Sequence, residues 1–510
     1  MFCLLILAAL TSRVVAQQPS VTIKNGTVRG VDLPQFNQSI FFGIPYAQPP
    51  VGDLRLEPPR SINASFGTID AIAYGPHCWS KFTTGFDDNS GFNNSEDCLT
   101  LNVIRPAGVS EKSPVPVVVW IHGGGLISFL TTGGSGDFRY NGSWIVESSI
   151  ANGKPIVFLS LASLDFLGGK ALKSVGSLNF GLRDQRLALH WVQENIAQAG
   201  ASSVHAHIVA YGGRDDKLFN QAIAESGSGG NYTAGDSPTF QVTYDAFLAN
   251  TTCAWTANSS VATQLSCLKS LPIDEFRESS VNAETGIVFD GDLINVPGTF
   301  QAYKSGKWVK VAFLTGSNSD EGRSFAHGRP VGFVPRRPLP GGPYHTGTFQ
   351  LDPVQNGLFF TPGLQNKRVA AIVGDMRQAP GPRLIAQTTS SEVPFYKYRT
   401  DFWITNHFTA TYLGPAAPIE DRFLGIYMSR AWASFIATGD PNNANVSSKI
   451  TWPSSLSTFR ELPSGNNFSN FKFCVPFFFG RNDLPTLTTL GVAVAVLKKW
   501  WSLCRSSVEL

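Results

Sequence analysis

The sequence predicts an α/β fold in which helices cover both faces of a large, mainly parallel sheet. Residues 115–125, VPVVVWIHGGG, form a continuous β-branched run ending in glycines, as a strand buried on both faces does. Strand-like runs then alternate with glycine loops and helical stretches: IVFLSL near Ile156, a helix after Asp184, QAIAES near Ala222 and KVAFLTG from Lys310. Such alternation belongs to parallel sheets wrapped by helices. With 43% hydrophobic and 15% charged residues over 510 positions, the chain can bury a large core.

Taken in order, MFCLLILAALTSRVVAQQPS has an apolar run from Phe2 to Leu10 and small residues ending at Ala16. That is the pattern of a cleavable secretory signal over residues 1–16, with Gln17 as the first mature residue, although the usual basic start is missing. Ten N-x-S/T sequons, at Asn25, Asn37, Asn63, Asn93, Asn141, Asn231, Asn250, Asn258, Asn445 and Asn467, point to a secreted, glycosylated protein in an oxidising compartment. A net charge of +3 over 55.1 kDa gives no reason to expect nucleic acid or an acidic partner. VTIKNGTVRG, from Val21, reads as a hairpin around Asn25-Gly26. A proline-rich segment, FFGIPYAQPPVGDLRLEPP, follows from Phe41, and SEDCLTLNVIRP, from Ser95, alternates like a half-buried strand.

Two helices come next. In NFGLRDQRLALHWVQENIAQ, from Asn179, the residues Leu187, Leu189, Trp191, Val192 and Ile196 recur at helical spacing. In AGASSVHAHIVAYGGRDDKLF, from Ala199, the residues Val204, Ile208, Val209 and Tyr211 share a side, and Gly212-Gly213 is the stop. Gln198 joins the two. Residues 487–497 are apolar but only about half the roughly 20 needed to cross a bilayer, so no transmembrane span is expected.

Some residue types bear chemistry. The glycines of His122-Gly123-Gly124-Gly125 let backbone N–H groups approach a developing oxyanion, and equally suit a tight turn at a strand end. No G-K-S/T follows, so this is not a phosphate loop. Glu321, in TGSNSDEGRSFA, follows a strand and is either a partner for an imidazolium or a solvated turn residue. Cys78 and Cys98 enclose a polar loop and Cys253 and Cys267 a shorter one; secretion favours disulfides, and the spacing leaves their connectivity open.

The proline-rich segment from Phe41, the D-E-G at Glu321, VFDGDLINVP from Val288 and the helices either side of Gln198 closely resemble the type B carboxylesterases, which include cholinesterases and secreted fungal lipases. The resemblance covers about residues 21–443. It implies an α/β-hydrolase fold and hydrolysis of a small-molecule or lipid ester through an acyl-enzyme, with no metal or cofactor. It further implies that Glu321 is the triad acid, that Gly124, Gly125 and Ala199 hold the oxyanion, and that Ser226 lies beside the triad without being the nucleophile. The disulfides it implies are Cys78–Cys98 and Cys253–Cys267; Cys474 and Cys504 have no counterpart. The loop between Cys78 and Cys98 would border the gorge, and Asp87, Asp88, Asn89 and Asn93 favour a soluble ester over a lipid interface.

The chain departs from the family at three places and in its tail. A connecting loop, a short buried strand and a G-E-S-A-G elbow are missing, and the nucleophile's slot holds Gln198, whose amide no histidine can activate. Ser202 and Ser203 lie within the second helix and lack the strained turn that exposes a nucleophile. The base is expected at His407, which follows Glu321 at some 20 residues less than the family spacing. LSLASLDFLGG, from Leu159, lacks an Asn-Tyr-Arg portion. The organisation read from the sequence is a signal peptide over 1–16, a carboxylesterase domain over 17–470 and an atypical tail over 471–510. The chain is thus read as an ester hydrolase with a truncated gene model, a catalytically dead cholinesterase-like binding or adhesion protein, or a product that does not fold stably. It does not set an oligomeric state.

Overall fold

The structure, a computed structural model, describes residues 18–78, 93–110, 112–122, 141–163, 167–195, 202–225, 230, 232–279, 286–318, 380–400, 419–445 and 452. Ser20–Ile23 (β1) and Gly26–Arg29 (β2) pair antiparallel with Ile23 opposite Gly26. The turn is therefore Lys24-Asn25, one residue earlier than the Asn-Gly signal places it. A Cβ on Gly26, at φ +148°, would meet the Gly67 carbonyl oxygen at 2.4 Å, so the glycine is needed as the first strand residue. Val31–Leu33 (β3) and Gln38–Pro45 (β4) follow, then Thr68–Asp70 (β5), which runs parallel to β2. His77–Cys78 (β6) and Asn94–Ser95 (β7) make a two-residue ladder, and Thr100–Pro106 (β8) and Val117–Ile121 (β9) enter the main sheet.

Ser143–Ala151 (α1) leads to Val157–Leu161 (β10), then Lys170–Ser174 (α2), Phe180–Asn195 (α3) and Ser202–Val209 (α4). Both helices around Gln198 thus form as expected. Gly212 and Gly213 end the second at φ +70° and +81°, and a Cβ on Gly213 would meet the Trp308 nitrogen at 2.2 Å. Gln221–Glu225 (β11) is followed by Thr233–Ala234 (β12), Pro238–Ala249 (α5), Val261–Ser270 (α6), Ile273–Glu278 (α7) and Val288–Phe289 (β13). Thr299–Lys304 (α8), Ala312–Asn318 (β14), Pro380–Thr389 (α9), Phe395–Thr400 (β15) and Ile419–Thr438 (α10) complete the chain order.

Two sheets carry the fold. One has the order β3-β4-β8-β10-β9 and the other β11-β14-β15. β3, β4, β8 and β10 pair antiparallel, whereas β10 and β9, and all of the second sheet, run parallel. Period-2 alternation aims Val117, Val119 and Ile121 of β9 at Trp191 and Val192 of α3, and Val118 at Ile145 and Val146 of α1. α10 spans both sheets: its Trp432, Phe435 and Ile436 share one core cluster with Val118 of β9, Ile223 of β11 and Tyr396 of β15. Among the described residues the central sheet expected from the sequence is thus divided between β9 and β11.

Cys78–Cys98 and Cys253–Cys267 are both disulfides, the pairings that the resemblance implies. The first is anchored by an ion pair that no sequence pattern signals. Arg55, buried in the proline-rich segment, grips both Glu96 carboxylate oxygens at 2.7 Å and donates to the Leu271 carbonyl at 2.7 Å beyond α6. One guanidinium therefore ties three segments together in the bidentate geometry that lysine cannot reproduce. Replacing Arg55 with alanine strands Glu96 and is expected to destabilise the fold by about 3 kcal/mol. Urea denaturation would read this, and Arg55→Lys should recover only part of the loss.

Candidate functional site

The strands that lead to the candidate residues end side by side. In the second sheet Glu225 of β11 is level with Gly316 of β14, which is level with Tyr398 of β15. Because these strands are parallel, the loops after β11, β14 and β15 leave from one edge. Ser226, Glu321 and His407 follow these strands in the sequence. β9 and β10 are likewise parallel, with Ile121 level with Leu161, and the glycines after His122 leave from the end of β9. Carboxyl ends of parallel strands are where open α/β folds place their ligands. Gly124, Gly125, Gln198, Ala199, Ser226, Glu321 and His407 themselves lie outside the described residues, as does the loop over residues 79–92.

What is described is the support beneath them. Glu225, buried at the end of β11 next to Ser226, accepts a hydrogen bond from Trp432 Nε1 of α10 at 2.7 Å. A buried carboxylate beside the site is thereby fixed to the helix that spans both sheets. At the end of β10, Ser163 accepts from Gln185 Nε2 of α3 at 3.4 Å, and His207 Nε2 of α4 donates to Gln185 Oε1 at 3.1 Å. This chain locks the two helices on either side of Gln198 to the strand edge. Arg186 of α3 pairs with Asp216, which Arg214 also grips at 2.7 Å, and these hydrogen bonds, led by that from Arg214, hold the Asp216 carboxyl below its usual range. Ser203 is buried within α4, in line with its exclusion as a nucleophile.

The start of α3 is braced too. Asn179, at φ 56°, donates to the Val288 carbonyl at 3.0 Å and to Asp290 at 2.8 Å, and accepts from the Val288 N–H at 2.9 Å. VFDGDLINVP, a segment of the family resemblance, thus braces the start of the helix that precedes Gln198. Apart from the Arg214–Asp216 contact, none of these partners is signalled by local periodicity, because each lies at least 22 positions from the residue it holds.

Parallel strands that end level at one edge, beneath helices on both faces, fit an α/β-hydrolase fold. The crystal structure of Aspergillus niger EstA aligns with a TM-score of 0.67, covering 86% of this chain and 92% of that one at 23% identity. Residues 17–331 match the model of the carboxylesterase family, and the chain belongs to that family. Secreted lipase 1 of Botryotinia fuckeliana is 31% identical over 86% of this chain and 88% of its own. Mouse cholinesterase is 33% identical over 60% of this chain and 54% of its own. The alignment to the Botryotinia lipase runs over 529 residues, more than the 510 of this chain, so that relative carries segments with no counterpart here. No helix among the described residues is long and apolar enough to cross a membrane.

Burial, with Arg186 close by, pushes the His207 imidazole down from 6.5 to about 3. The folded protein therefore keeps the ring neutral where the unfolded chain takes up a proton. The stability this neutral ring contributes is complete above the unfolded pKa and is lost as pH falls towards the folded one. Between about pH 6 and pH 4 the native protein should lose up to about 1.4 kcal/mol per pH unit more than a His207→Gln variant, measured by denaturant midpoints. Equal slopes would count against a buried neutral ring.

Proposed function

We propose that this protein is a secreted carboxylic ester hydrolase whose written sequence omits the nucleophile strand and elbow. In the form that carries them, the elbow serine attacks the ester carbonyl, His407 takes its proton and Glu321 orients the imidazole. The N–H groups of Gly124, Gly125 and Ala199 hold the oxyanion, the alcohol leaves, and water releases the acid from the acyl-enzyme. Ser226 stands beside the triad. The chain as written has Gln198 at the nucleophile's position and does not form an acyl-enzyme.

The observation that carries this reading is the division of the sheet between β9 and β11, at the point where α3 and α4 are joined by only six residues, 196–201. A chain that had merely lost its serine would keep the strand. The test uses a fluorophosphonate probe and 4-nitrophenyl butyrate on two products: the chain as written and one translated from a transcript read across the codons for Ala197 to Ala199. The first should neither label nor hydrolyse above a residual rate, and the second should do both. Labelling of the chain as written would reveal an active serine elsewhere, and an unbroken transcript through this point would sink the truncation.

Passage through the secretory pathway carries its own prediction. Asn37, Asn63, Asn93, Asn250, Asn258 and Asn445 are exposed, whereas Asn25 is buried and its amide donates to the Ile62 carbonyl at 3.1 Å. Glycopeptide mapping of the secreted protein should find glycans among the exposed sequons and Asn25 bare. A fully occupied Asn25 would be incompatible with this packing.

A further inference from the structure

Beneath the β1–β2 hairpin lies a half-open cavity of about 790 Å³ whose floor is the sheet at the starting end of β9. That end is opposite the candidate catalytic edge, which follows Ile121. Val103 of β8 pairs with Leu159 of β10, which is level with Val119 of β9, so strand alternation puts Arg105, Val157 and Val117 on the same face as these. Those three residues line the floor, and Val21 and Ile23 of the hairpin and Trp191 of α3 line the walls. The Arg105 guanidinium lies over the Phe41 ring, 5.0 Å from its centroid, and its buried Nε has no acceptor among the described residues. The carboxylates of this region are engaged elsewhere. Asp32 accepts from Ser39 Oγ at 2.7 Å, and Glu194 pairs with Lys24 at 2.9 Å. Burial accordingly draws the Arg105 pKa down, against the opposing pull of Asp32. Trp191 Nε1 is a second buried donor without an acceptor among the described residues.

We propose that this cavity binds a medium-chain fatty acid, its carboxylate on Arg105 and its hydrocarbon along Val157 and Val117 beneath the hairpin. An arginine keeps its charge in a protein, so desolvation leaves the Arg105 guanidinium in need of an anion rather than neutral. A carboxylate supplies the acceptor that Nε lacks, in the two-pronged geometry that a guanidinium presents. The valines and the isoleucine around it exclude a purely polar anion and reward an apolar tail. Apolar walls with one or two placed polar groups, in a space of roughly 300–1,000 Å³, are the usual makings of a small-molecule site. The proposal goes beyond the ester-hydrolase reading and does not depend on a missing strand, because Arg105 is on β8, separated from β9 by β10.

The test titrates the full chain with sodium decanoate, below its micelle concentration, and with decanol and decyltrimethylammonium as controls. Decanoate should raise the melting temperature by roughly 2–5 °C at saturation, and should bind about tenfold or more tightly than either control. Arg105→Met keeps an apolar stem and should reduce the affinity for decanoate to that for decanol. A decanoate bearing a diazirine, photolysed on the unaltered chain and mapped by mass spectrometry, should label peptides within residues 21–28, 103–118 or 157. That readout decides even if Arg105→Met does not fold. Equal binding of decanoate and decanol, or labelling confined to other segments such as those around Ser226 and Glu321, would overturn the proposal. Decanoate holds no ester bond, so its binding is read independently of whether the restored enzyme hydrolyses esters.

Discussion

A strand covered on both faces depends on its neighbours for its backbone hydrogen bonds, because water cannot reach it. β9 and β11 are such strands: Val119 and Ala224 are fully buried. Each has one strand neighbour among the described residues, β10 for the first and β14 for the second. The rest of the fold therefore turns on the space between them. On the proposed reading, the segment that would fill it lies between α3 and α4, at the nucleophile's place, and folding and catalysis would then depend on the same residues.

The two sheets are nevertheless held in place by helices that do not need the strand. α10 packs across both through Trp432, Phe435 and Ile436. α3 is fixed at its start by Asn179 and along its length by Arg186 with Asp216, and it is coupled to α4 through Gln185 and His207. Packing of this kind is spread over several clusters rather than concentrated on the sheet, which is why the helices around the gap keep their places. It also fits the carboxyl ends of β11, β14 and β15 lying level with one another.

β9, α3 and α4 were legible in the sequence because each is a buried element marked by a continuous apolar run or a helical period, and the Gly212-Gly213 stop is local chemistry. The hairpin turn fell one residue early because close approach to Gly67, a contact distant in sequence, places Gly26 in the strand. The candidate catalytic set was legible only through family motifs, because no hydrophobic period marks such residues, and they lie outside the described residues. The supports beneath them escaped notice for a related reason: Arg55 and Glu96 are 41 positions apart and His207 and Gln185 are 22 apart, and such pairs exist only once the chain has folded.

The character of the gap separates a lost segment from a long-settled loss of function. A chain adapted to live without a central strand would be expected to close the space with larger side chains, or to blunt the two edges with charge, proline or a bulge. Here the neighbours are still those of a buried strand. Val117, Val118 and Val157 line one side and Ile223 the other, Phe435 and Ile436 close a face, and charged groups such as Lys24 and Glu194 keep to the end near the β1–β2 hairpin. Apolar residues such as Val118, Ile223 and Phe435 gain from burial and dispersion only where another segment packs on them, and that favours, on the proposed reading, a sequence matched to a strand over one shaped for a binding role alone.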